Sequence, residues 1–144
     1  MSDDAYAVPS EEPILRKIPK TQGYFDPRKK PPIERGAFSP NAKDIDGLSC
    51  FLERLMSIES LVELSAPRPP SEIVIVRLRA RDFYDLGLTL RRTFDPDDYP
   101  GHVIVPELNR EDYENQKQRF KPLVLKLMLL AEKHIVFDGV RLPE

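Results

Sequence analysis

Seven of the chain's fifteen prolines fall within its first 40 residues: Pro9, Pro13, Pro19, Pro27, Pro31, Pro32 and Pro40. Each proline fixes φ and removes a backbone donor, so regular structure is not expected where they crowd. Residues 1–32 therefore read as an extended, proline-rich arm. It is also basic. From Arg16 to Arg35 there are seven lysines and arginines against two acids, Asp26 and Glu34. Ile14, Leu15, Ile18, Tyr24 and Phe25 punctuate it, and a wholly disordered tail carries fewer such anchors. The arm is thus expected to pack against the body or a partner.

Residues 33–144 read as a single domain, for which a chain of 144 residues suffices. Residues 33–38 have the composition of a short strand. Leu48, Phe51, Leu52, Leu55, Ile58 and Val62 recur at helical spacing, which predicts a helix over 48–64, although Leu48 to Leu52 alone also fits a strand. Residues 72–79, EIVIVRLR, are the clearest strand, since four consecutive β-branched residues suit burial on both faces. A short helix ending at Gly87, a strand over 88–94 and a strand over 102–106 follow. Asn109 is placed to cap a long helix to His134, with Pro122 expected to kink or split it. Residues 135–137 are a candidate closing strand. The fold class is α+β: a small, mostly antiparallel sheet of three to five short strands, two flanking helices and the N-terminal arm.

The formal net charge is −2, which argues against general attraction to nucleic acid or anionic lipid. Nucleic-acid binding through the basic arm is therefore a less favoured alternative. No apolar run approaches membrane-spanning length and no secretory leader opens the chain, so a cytoplasmic location is expected. One cysteine and two histidines leave no basis for a structural metal site. Phosphate-loop, dinucleotide and zinc-protease spacings are absent, so no cofactor or metal is expected.

Among single residues His102 stands out. It follows Pro100–Gly101 at a loop-to-strand junction, with Asp98 and Glu107 near in sequence, and histidine beside a carboxylate suits general-base work. Arg77, Arg79, Arg91 and Arg92, with Arg81, would form an anion pocket if strands 72–79 and 88–94 pair. Neighbouring aspartates would instead make local ion pairs. Lys29, Lys30, Tyr24 and Phe25 are the binding candidates of the arm. Cys50 reads as a buried apolar group. Arg35, Ser49 and His102 together match no motif.

The leading expectation is a non-enzymatic adaptor, an accessory subunit that meets a protein partner through the arm or the C-terminal helix. A bacterial setting, in defence or toxin neutralisation, is a context that no residue shows. The alternative is a small enzyme acting on a nucleotide or RNA, with His102 as general base beside the arginine pocket.

Overall fold

The proline-dense front supplies the centre of the sheet. β1 runs Pro13–Pro19, and its two prolines bound the strand. It pairs antiparallel along its whole length with β3, Ile73–Arg79, from Pro13↔Arg79 to Pro19↔Ile73. On its other side it meets β2, Leu48–Leu52, through Ile14↔Leu52 and Leu15↔Phe51. The computed structural model describes residues 8–21, 23–30, 32–40, 44–65, 67–93 and 98–139. The expectations for the ends of the chain and for Phe94, Asp95 and Asp97 fall outside them.

After β2 come α1, Ile58–Leu64, then β3, α2, Ala80–Tyr84, and β4, only Arg91–Arg92. β5, His102–Val105, α3, Arg110–Asn115, α4, Lys117–Glu132, and β6, Ile135–Phe137, complete the chain. The described strands form one antiparallel six-stranded sheet in the order β4-β5-β2-β1-β3-β6. This corrects the expected three to five strands and two flanking helices, while the α+β class stands. It also corrects the arm, because β1 is an interior strand rather than an appendage. Ile14 and Ile18 enter the larger core and Leu15 the smaller. Further back, Val8 is buried, and the N–H of Ala80 bonds to the carbonyl of Glu12 at 3.0 Å.

The two sheet faces bury different amounts. One is covered by α4 through Phe120, Val124, Leu127, Met128 and Ala131, which join Ile14, Ile18, Cys50, Val74 and Val103 in the larger core. On the other face, Met56 and Leu61 pack with Leu15, Ile73, Ile75 and Phe137. That cover lies over the β1, β3 and β6 half. Toward β2 and β5, residues Ser49, Phe51, His102 and Ile104 are only half-buried.

The local departures from sequence expectation have physical causes. Residues 48–64 divide into β2 and α1 because Ser57 caps the helix, accepting from the N–H of Ser60 at 3.1 Å. The apparent helical stripe mixed a strand's alternate positions with a helix's. Residues 33–38 bend into a 3₁₀ turn at Arg35–Ala37 rather than a strand. A Cβ on Gly36 would lie 2.3 Å from the carbonyl oxygen of Gly23, so this close approach requires glycine. The predicted strand 88–94 shrinks to β4 because Thr89 bonds to the Glu107 carboxylate instead, through its N–H at 2.9 Å and hydroxyl at 2.6 Å. The terminal helix breaks at Gln116, φ −135° and ψ 45°. Pro122 continues within α4, near enough to its start that one lost hydrogen bond is tolerated.

Candidate active site

Asp98, His102 and Ser49 form a hydrogen-bonded chain on the open half of the sheet. β2 carries Ser49 and β5 carries His102, paired antiparallel through Ser49↔Ile104 and Phe51↔His102. Alternation along each strand puts Ser49, Phe51, His102 and Ile104 on one face. His102 Nε2 lies 3.0 Å from Ser49 Oγ, and its Nδ1 lies 2.6 Å from Asp98 Oδ2. The Thr93 hydroxyl donates to the same Asp98 oxygen at 2.6 Å, and the N–H of Tyr99 donates to Oδ1 at 2.7 Å.

The loop is shaped for this contact. Gly101 has φ +79°, in the left-handed region that favours glycine. Its carbonyl accepts from the N–H of Leu52 at 2.8 Å, which ties the loop to β2. Asp98 can then return over the histidine four residues later. Phe51 flanks the imidazole, with ring centroids 5.4 Å apart.

Electrostatics assigns the protons. Burial disfavours the Asp98 carboxylate, but hydrogen bonds from Thr93, His102 and the Tyr99 N–H outweigh it and hold the acid below its ordinary range. An ionised Asp98 accepts from Nδ1, and in the neutral tautomer with its proton there Nε2 is the acceptor for the Ser49 hydroxyl. The His102 and Asp98 side chains keep 16% and 24% of their surface exposed.

Arg16 completes the surroundings. β1 and β2 show paired residues only at Ile14 and Leu15. The guanidinium of Arg16 then bridges the strands, donating from Nη1 to the Ser49 carbonyl at 2.6 Å and from Nε to the Ala37 carbonyl at 2.8 Å. It lies 5.9 Å from the centroid of Phe38. Arg16 thus holds the Ser49 backbone, as a positioning residue.

His102 therefore has a carboxylate, but it is Asp98; Glu107 is engaged by Thr89. The proposed arginine pocket does not assemble. β3 and β4 are not neighbours; three strands lie between them. Arg77 makes a bidentate pair with Glu53 at 2.6 and 2.7 Å, and Arg79 donates to the Glu11 carbonyl at 2.8 Å. Arg81 pairs with Glu11 at 3.0 Å. Arg91, opposite Ile104, shares the His102 face, while Arg92, opposite Val103, faces the other way. In the arm, Tyr24 and Phe25 pack against the larger core, Lys29 pairs with Glu34 at 2.5 Å, and Lys30 is exposed. Burial pushes the Cys50 thiol up to about 11, so it is protonated and no nucleophile. His134 is exposed at the end of α4. Among the described residues, no group of acids, histidines and cysteine has the geometry of a metal site, and no helix is long and apolar enough to cross a membrane.

The contact of Ser49 with His102, and the role of Arg16, were hidden in the sequence. Ser49 lies 53 residues from His102, in a stretch that reads as helix, and only pairing of β2 with β5 brings them together. Arg16 reads as one charge in a basic arm. Comparison with protein-family models, with curated proteins and with solved structures finds no match to this chain.

Proposed function

We propose that the protein is a small enzyme in which His102, oriented by Asp98, activates the Ser49 hydroxyl for nucleophilic attack. The observation that carries this reading is the continuous chain from Ser49 Oγ to His102 Nε2 at 3.0 Å and from Nδ1 to Asp98 at 2.6 Å. Nucleophile, base and orienting acid are the three parts such chemistry needs. The Ser49 oxygen bonds to an electrophilic acyl or phosphoryl centre as its proton passes to Nε2. The leaving group departs with that proton, and water, activated by the same imidazole, releases the covalent intermediate. Placement on paired strands keeps the reacting atoms in register.

A fluorophosphonate probe tests this without knowledge of the substrate, because an activated serine displaces its fluoride. The expected result is one label on the native chain, located at Ser49 by peptide mass spectrometry and absent in Ser49→Ala and His102→Ala. Labelling of the wild type no faster than that of Ser49→Ala would dismiss the enzyme reading.

The adaptor reading has its own support. Leu125 and Leu129, one turn apart on α4, are 45% and 47% exposed. Exposed Pro122 extends their strip, and exposed Lys121, Lys126 and Lys133 flank it. An apolar strip edged by cations suits a protein groove edged by acids. Leu125→Glu with Leu129→Glu is expected to abolish recovery of a stoichiometric acidic partner from the native cell while leaving the fold intact. Equal recovery by the variant and the parent speaks against docking through α4.

A further inference from the structure

Lys17 is a half-buried lysine on an interior strand, and neither a hydrogen bond nor an ion pair ties its side chain to an acid among the described residues. Lysine is rarely buried without a partner. Its place in the sheet explains what a partner would meet. Lys17 pairs with Ile75 on β3. The β1–β2 register that sets Leu15 opposite Phe51 brings Lys17, two residues on, level with Ser49, two residues back. Ser49 itself is opposite Ile104, and Ile104 opposite Arg91. One row from β4 to β1 therefore reads Arg91, Ile104, Ser49, Lys17, passing from the open half of the sheet to the border of the covered half, with His102 on the next row.

The local field is positive. Burial lowers the Lys17 pKa, and repulsion from Arg16 and Arg68 lowers it further. Arg68 is exposed and borders an open groove with Thr21, Ser65 and Glu72. Lys17 thus has Arg68 as a cationic neighbour, whereas Arg16, the next residue on β1, lies on the opposite face with its guanidinium taken up by the Ala37 and Ser49 carbonyls. Along the arm, two of the exposed cations are matched by acids, Arg28 with Asp26 at 3.1 Å and Lys29 with Glu34 at 2.5 Å, while Lys30 and Arg35 carry no ion pair among the described residues. Ion pairs thus interrupt the track that an extended polyanion would follow along the arm, whereas Lys17 offers a compact anion one localised contact.

We infer that Lys17, supported by Arg68, is the anion-binding half of the Ser49–His102–Asp98 centre, and that the substrate is a small molecule bearing a phosphate group. This rests on the enzyme reading for its reactive half, but anion binding can be measured independently. A phosphate carries up to two charges and several acceptor oxygens, which an ammonium and a guanidinium can share. The bound anion would also supply Lys17 with the counter-charge that the protein withholds.

Pyrophosphate titrated into the native full-length chain by calorimetry tests the inference. Saturable binding is expected, weakened about tenfold or more in Lys17→Met, as loss of one charge-assisted contact would give. Ser49→Ala should bind as the parent does, and pyrophosphate should slow fluorophosphonate labelling of the parent. Arg68→Gln, on an exposed loop where folding is not at stake, should weaken binding in the same direction. No saturable binding by the parent overturns the inference, even if Ser49 is labelled. Binding lost equally in Arg28→Ala, or a strong preference for a single-stranded oligonucleotide, overturns it in favour of a polyanion surface. Binding that persists without Ser49 labelling would sink the enzyme reading and leave an anion-binding site.

Discussion

A chain lacking residues 1–19 is expected to lose its cooperative thermal transition, with collapsed amide dispersion in its NMR spectrum. Removing β1 deletes seven paired positions against β3 and the contacts to β2. The sheet would part into β4-β5-β2 and β3-β6, each with a newly exposed edge. Ile14, Leu15 and Ile18, all buried to within 1%, would leave both cores at once. A single Ile18→Ala should already cost about 2–5 kcal/mol, read from denaturant midpoints at constant slope. A truncated chain that melts cooperatively would show that β1 is dispensable. Removal of residues 1–32 also removes β1, so that deletion reports on folding before it reports on any partner.

Asp98→Asn is expected to slow fluorophosphonate labelling of Ser49 on the order of 10⁴-fold with little change in fold. The amide can donate to Nδ1, which would move the imidazole proton to Nε2, where it cannot accept from serine. Glu107→Gln is the matched control. It alters the other nearby carboxylate, whose contacts are to Thr89, and should label at the parental rate. Equal slowing in both variants would assign the effect to general loss of local structure. The acid limb follows in sign. Asp98 is held below its ordinary value, net of burial, so its stabilisation is present above about pH 4, the unfolded value, and is lost as pH falls through the lower folded value. Asp98→Asn should lack this component of the parent's acid-side destabilisation.

How much of this was legible in the residues varied with how local its cause was. The strand at Ile73–Arg79 was plain from its run of β-branched residues, and Gly87 ended the following turn as its φ of +80° requires. Asn109 capped its helix, accepting from the N–H of Asp112 at 2.8 Å. β1 was obscured because both its faces are buried, so ILRKI lacks a clean alternation, and its bounding prolines resemble a breaker-rich arm. β2 was obscured because its apolar residues merged with those of α1 into a false helical period.

The site divided along the same line. His102 and Asp98 are four residues apart, so the sequence by itself was enough to put a base beside a candidate acid, and it determined the α+β class and the buried character of Cys50. Tertiary structure alone decided that Asp98 rather than Glu107 is the partner, that Ser49 stands beside the histidine, and that Arg77 and Arg79 do not. The reason is strand order: pairing of β5 with β2 and of β1 with β3 sets which distant side chains share a face, and no local propensity encodes which strands become neighbours.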